Sequence, residues 1–278
     1  MKIYIITPAW IIKNKKHYYK GIKVIEKLGL TVLNKKFVNK QLPIKQKVRQ
    51  LHRAFLKKNV DIILAQRGGF GCIKLLPYIN FDVIKNSNKK FCGFSDLSAL
   101  LNVIYEKTKL ITYHSPMLIN FANTTDFTIK SFLNAINGFL NKNLFYNAPV
   151  RIFNHGKVEG ILKGGNLVTL TSLIGTAWEI NTNDTILFLE EVDEQLYKVD
   201  RAITQWILSK KFDNIKALIL GNFRGLNIND LYKILKQQIK IKFPVVYCPY
   251  IGHLKNKITL PVGAKVRLDT YKKTLELI

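Results

Sequence analysis

Acidic residues are the scarce class in this sequence. Its 278 residues carry 18 Asp and Glu against 44 Lys and Arg, a formal net charge of +26. Clustered cations mark nucleic-acid binders, because they neutralise phosphates and release counterions. Here the excess is mostly lysine scattered along the whole chain, with no recognition motif beside it, so no dedicated nucleic-acid partner is expected. An anionic small substrate would still be drawn to such a surface. Cysteine is also sparse. Cys72, Cys92 and Cys248 lie far apart, odd in number and at no metal-ligand spacing, which speaks against a disulfide framework or a metal site and for a reducing compartment. No apolar run is long enough for a membrane span. Residues 1–10 are apolar but broken by Pro8, with Lys2 as the only preceding charge and no small-residue cleavage site after them. They read as a first strand rather than a signal peptide, and a cytosolic protein is expected. Repeats and low-complexity blocks are absent too, and a composition 47% apolar and 22% charged predicts a fully folded chain of one large or two modest domains.

What is present is an alternation of strand and helix. Residues 2–7 read as a buried strand, 17–28 as a helix ended by Gly29, 30–33 as a short strand, 44–58 as an amphipathic helix and 60–65 as a third strand. Lys89 to Cys92 and Ile111 to Tyr113 supply two more, with helices predicted over 96–107 and 123–140. That pace implies a mostly parallel sheet covered on both faces. Residues 141–149 are polar and read as a linker, which divides the chain into domains at 1–145 and 150–278. In the second, strands are expected over 150–153, 157–162, 185–189, 216–220 and 245–248, with a final pair between 266 and 278. Gly164-Gly165-Asn166 is read as opening a helix that runs to Ile174. Further helices are expected over 197–209, where Asp200-Arg201 reads as a structural ion pair, and over 231–241.

Chemistry concentrates where strands end. In Gly93-Phe94-Ser95-Asp96 an apolar run stops at a glycine, a serine follows two residues later, and helix formers take over. A serine on such a turn has its hydroxyl pushed outward, with the first amides of the next helix facing any developing negative charge. The bland alternative is that Ser95 or Asp96 caps a helix. One strand earlier, Gln66-Arg67-Gly68-Gly69-Phe70-Gly71-Cys72 offers free amides that suit an oxyanion, or an ordinary tight turn. It is neither a Walker loop nor a dinucleotide fingerprint. His114 ends the fifth strand, either shaping a pocket or sitting in the core as a hydrogen-bonded histidine. Glu190 and Glu191 end the strand over 185–189, where a carboxylate is costly to desolvate without a partner. Gly252-His253 follows the strand over 245–248. Serine, carboxylate and histidine thus stand at strand ends in the chain order Ser95, Glu190, His253.

These motifs resemble the LD-carboxypeptidase family of serine peptidases, which also includes microcin C immunity peptidases. The resemblance covers nearly the whole chain. It rests on Arg67-Gly68-Gly69-Phe70-Gly71 with Leu75-Leu76-Pro77, on Gly93-Phe94-Ser95-Asp96, and on His114-Ser115-Pro116-Met117. Gly164-Gly165-Asn166-Leu167, Leu187-Phe188-Leu189-Glu190-Glu191 with Tyr197 and Asp200-Arg201, and Gly252-His253 with Leu260-Pro261-Val262-Gly263 continue it. It implies an α/β fold, a flavodoxin-like mostly parallel sheet domain carrying the nucleophile plus a smaller carboxy-terminal α/β domain. It further implies Ser95 as nucleophile, His253 as general base and Glu190, the first residue after the apolar strand, as orienting carboxylate. The backbone N–H groups of Asp96 and Gly69 would form the oxyanion hole. Arg67 and His114 would contact substrate, Arg67 having a loop-bracing salt bridge as its alternative. The implied substrate is the murein tetrapeptide, losing its terminal D-alanine in cytoplasmic cell-wall recycling, with no metal or cofactor; aminoacyl-nucleotides are the alternative, and a non-enzymatic basic nucleic-acid-binding protein a distant one. Members often form homodimers. One departure is Ser115, where the family usually has glycine, which would narrow the pocket.

Overall fold

A computed structural model describes all of residues 1–278. In the amino-terminal half, β1 (Lys2–Ile6), β2 (Thr31–Val32), β3 (Ile62–Ala65), β4 (Lys90–Gly93) and β5 (Thr112–His114) are mutually parallel. β3, the run Ile-Ile-Leu-Ala, is buried at every position, as a strand sandwiched between helical layers must be. The spatial order β2-β1-β3-β4-β5 is the flavodoxin-like winding that the family resemblance implies. Such sheets bind ligands beyond the carboxyl ends of their strands, and the glycine loop after β3 and Ser95 after β4 both lie there.

The second half forms β6 (Arg151–Asn154), β7 (Lys157–Asn166), β8 (Thr185–Val192), β9 (Ala217–Arg224), β10 (Val245–Tyr247), β11 (Leu260–Val262), β12 (Lys265–Asp269) and β13 (Thr274–Leu277). Seven of these make a second sheet, ordered β13-β12-β7-β8-β9-β10-β6, parallel from β7 to β10 and antiparallel at its flanks. The remaining strand crosses back. β11 pairs antiparallel with β5, Leu260 opposite His114, and completes the first sheet, so the segment just after His253 is anchored in the other half of the molecule. Residues 259–264 carry no alternation that would have marked them as a strand.

The Gly164-Gly165-Asn166 segment differs from its sequence reading. It is the end of β7, and the helix begins only at Leu167, capped by Asn166 Oδ1 accepting from the Thr169 N–H at 3.0 Å. The glycines serve close approach. Both have positive φ, and a side chain would overlap the Phe188 carbonyl at Gly164 and Ser98 at Gly165. The helix Ser98–Thr108 that follows the Ser95 turn therefore seats directly on β7. Asn102 Nδ2 donates to the Gly164 carbonyl at 2.8 Å and its Oδ1 accepts from the Gly164 N–H at 3.2 Å, while the Asn166 N–H donates to Ser98 Oγ at 2.9 Å. A continuous apolar core joins the layers, running from Ile6 and Phe91 through Leu101 to Leu187 and Trp206. No helix is long and apolar enough to cross a membrane, and all three cysteines are buried free thiols.

Candidate active site

Ser95 sits on a strained turn. Its φ is +66°, in the left-handed region that a non-glycine residue occupies at a cost of roughly 1–3 kcal/mol. Neither Ser95 nor Asp96 caps the helix that follows, which has no side-chain cap. Asp96 instead faces the glycine loop, its Oδ2 accepting from the Cys72 N–H at 2.9 Å. Burial pushes the Asp96 carboxyl up, opposed by the Cys72 and Gly71 N–H groups. This contact holds the β3 and β4 loops together. A side chain on Gly68 would come within 3.0 Å of both Ser95 Cβ and Oγ, which places the glycine-loop backbone against the serine.

Trp10, from the loop after β1, covers the other side of that loop. A Cβ on Gly69 would lie 2.6 Å from the indole, and the Trp10 backbone N–H donates to the Gly68 carbonyl at 3.3 Å. Trp10 remains 49% exposed, an aromatic face beside the glycine loop that the sequence alone does not single out. The Arg67 guanidinium lies over this ring at 5.7 Å and reaches the Ile11 carbonyl at 3.5 Å. It forms no salt bridge, and the loop it leans on is met through the Trp10 ring and the Ile11 carbonyl instead.

Glu190 and His253 come together from the second half. Glu190 Oε2 is 2.7 Å from His253 Nδ1, and the glutamate is fully buried. Opposite Leu189 and Glu191 of β8, β9 carries one extra residue between Leu220 and Phe223, while Glu190 keeps the alternation of its strand, on the face that Ile186 and Phe188 share. Gly252 and Gly221 make room, since a Cβ on either would lie 3.0 Å or less from Glu190. Glu191 is engaged elsewhere, accepting from Asn166 Nδ2 at 2.7 Å and from the Val168 N–H at 2.8 Å. The His253 ring packs on Phe94, the residue before Ser95, at 4.8 Å between centroids. Ser95 Oγ and His253 form no hydrogen bond to each other, and the ring's one hydrogen-bonding side-chain partner is Glu190.

His114 lies between the Phe94 and Phe188 rings, 5.6 and 5.2 Å away, with no protein partner for either ring nitrogen. It is a core histidine but not a hydrogen-bonded one, and its burial keeps it from reaching into an open pocket. Burial pulls its imidazole from 6.5 down to about 4. Between those pH values the unfolded chain takes up a proton that the folded chain does not, so stability falls as pH drops through that window. His114→Leu should remove acid sensitivity on the order of 2–3 kcal/mol, seen as flatter urea-unfolding stability from about pH 6.5 to 4. Ser115 is buried and donates to the Pro116 carbonyl at 3.2 Å. Asp200 and Arg201 are not paired as expected: Asp200 accepts from Gln238 Nε2 at 2.9 Å and Arg201 lies over Tyr197 at 5.5 Å.

The chain is similar to known proteins along most of its length. Residues 3–115 match the family model described as the LD-carboxypeptidase N-terminal domain, and residues 159–268 match the LD-carboxypeptidase C-terminal domain. A Bacillus subtilis protein named probable murein peptide carboxypeptidase is 31% identical over 265 residues, covering 90% of this chain and 83% of its own. The microcin C7 self-immunity protein MccF of Escherichia coli is 27% identical over 304 residues, covering 95% and 88%. Among solved structures, a muramoyltetrapeptide carboxypeptidase from Oxalobacter formigenes superposes with a TM-score of 0.83 at 27% identity, covering 100% of this chain and 98% of that one.

Proposed function

The chain belongs to the LD-carboxypeptidase family of serine carboxypeptidase hydrolases, and from that premise we propose that it releases the terminal D-alanine of murein tetrapeptide through Ser95, His253 and Glu190. The observation that carries this reading is the buried Glu190–His253 contact at 2.7 Å, joined through Phe94 to a serine held at positive φ. Residues 1–145 bring the nucleophile and residues 150–278 the carboxylate and base, as two domains. Ser95 Oγ attacks the carbonyl carbon of the last amide while His253 takes the hydroxyl proton. Glu190 accepts from Nδ1–H, fixing the tautomer and stabilising the imidazolium. The oxyanion forms beside the N–H groups of Asp96 and Gly69. Collapse breaks the C–N bond, and the imidazolium gives its proton to the departing D-alanine amine. Water then attacks the ester, His253 takes its proton and returns one to Ser95, and the tripeptide leaves. The proton balance closes within these side chains, so the scheme calls on no cofactor.

Murein peptides carry several carboxylates, and the unpaired Arg67 guanidinium suits one of them as a bidentate partner. Arg67→Met should raise KM about tenfold with kcat little changed, the value of one lost charge-assisted contact. An unchanged KM in steady-state assays would remove Arg67 from the binding site. Cytoplasmic recycling, in a cell that keeps its three buried thiols reduced, is the setting this reading implies, with neither nucleic acid nor membrane as partner and a homodimer admitted. A second reading is favoured by Trp10, whose half-exposed indole offers a stacking face for a nucleobase, and would make aminoacyl-nucleotides the substrate. The discriminating experiment incubates the protein with each compound and separates products by chromatography. Free D-alanine and tripeptide support the first reading; a released amino acid from the nucleotide alone supports the second. Cleavage of neither, with DNA binding that falls steeply as salt rises, would leave only a basic binding protein.

A further inference from the structure

Lys257 is a lysine where none is expected. It is 6% exposed, carries no salt bridge, and lies in the loop between His253 and β11. Burying an ammonium costs several kcal/mol unless its protons are satisfied. Here they are spent on backbone carbonyls: Nζ donates to Gly252 at 3.0 Å and to Leu254, the two residues that flank His253. The same ammonium sits 5.0 Å over the ring of Phe94, which precedes Ser95 and packs on His253. The loop itself is fastened to the helix Asp126–Ile136. Thr128 Oγ1 accepts from the Lys257 N–H at 2.9 Å and donates to the Lys255 carbonyl at 3.1 Å, and the Thr259 N–H donates to Ser131 Oγ at 2.9 Å.

Building on the Ser95–His253–Glu190 reading, we propose that Lys257 is a positioning residue for its acid–base pair, clamping the carbonyls on either side of His253 and setting a cation beside Gly252, the residue that abuts the Glu190 carboxylate. The cation answers a need. Glu190 is fully buried and its Oε1 has no protein partner, so a nearby positive charge offsets the desolvation that His253 alone does not. The titratable and charged groups facing this cation are Glu190 from β8, Arg224 at the end of β9, His114 from β5 and His253 from its own loop. Burial first, then Arg224, pulls the ammonium down to about 8, with Glu190 opposing.

The test uses the full chain and the Nδ1 proton of His253, which a short hydrogen bond to carboxylate moves far downfield in the proton NMR spectrum. Lys257→Met and Lys257→Gln should lower kcat about 10- to 100-fold, the scale of a misplaced catalytic group, with KM changed less than about threefold. The downfield signal should shift or broaden away in both. Unchanged kcat, or a lower kcat with an unmoved signal, would mean that Lys257 only stabilises the loop and would overturn the proposal. Should both variants fail to fold, the unaltered chain decides. Its Nδ1 signal should move between about pH 7 and 9, in step with the Lys257 Cε carbon as that ammonium loses its proton; a signal indifferent to that ionisation would overturn the proposal equally. Because the signal is read without turnover, it is separable from the nucleophile: an active Ser95→Ala variant removes Ser95 from the mechanism and leaves the role of Lys257 to the NMR result.

Discussion

Ser95→Ala should lower kcat by at least about 10⁴, the cost of removing a triad nucleophile, while thermal unfolding stays near that of the parent. The reasoning is local. Alanine keeps the backbone course between β4 and the helix Ser98–Thr108, and the Ser95 hydroxyl holds no hydrogen bond that the fold needs. Ser95→Gly separates chemistry from strain. It should lose activity to the same extent, yet be at least as stable as Ser95→Ala, because glycine adopts φ +66° without the Cβ penalty. Kinetics on D-alanine release and a thermal melt of each variant check both parts. Near-normal turnover in Ser95→Ala would end the nucleophile assignment.

Glu190→Gln should lower kcat somewhat less, by about 10³ to 10⁴. The amide is nearly isosteric, so the pocket formed by Gly221 and Gly252 still accepts it. What changes is the partner of His253 Nδ1. A carboxylate only accepts, and it holds the proton on Nδ1 and leaves Nε2 free to take the serine proton. A glutamine amide can present its N–H instead, which favours the opposite tautomer and disarms the base, and it cannot balance the imidazolium. Glu190→Asp keeps the charge but shortens the reach of a 2.7 Å contact, so it should fall between the parent and Glu190→Gln. A rank order with Glu190→Gln as active as the parent would point to Glu191 or to no carboxylate at all.

Much of this arrangement is legible in the chain itself, and the limits have physical causes. The parallel strands of the first sheet follow from apolar runs separated by helical spacing, whereas their flavodoxin-like order comes through the family resemblance, as does the choice of Ser95 as nucleophile over a helix start. Glu190 can be preferred to Glu191 only through family resemblance, because both end β8; as neighbours on a strand they face opposite sides of the sheet, Glu191 toward Asn166 and Glu190 toward His253. Gly164-Gly165 reads as a helix opening because glycines that open a turn and glycines that let a helix press on a strand are the same letters. Only the Ser98 and Asn102 contacts distinguish them. β11 escaped because it is short and pairs across the molecule with β5. Lys257 looks like any of the solvated lysines that give the chain its +26 charge, and nothing local says that its partners are two carbonyls in a buried loop.

The central claim, that Ser95 attacks the substrate with His253 as its base, is tested most directly by trapping the intermediate. The protein is mixed with murein tetrapeptide, quenched in acid during turnover, digested and read by mass spectrometry. The account predicts a tripeptide acyl group on the fragment containing Ser95 and none in Ser95→Ala. Steady release of D-alanine with no adduct there, or with the acyl group on another residue, would contradict it.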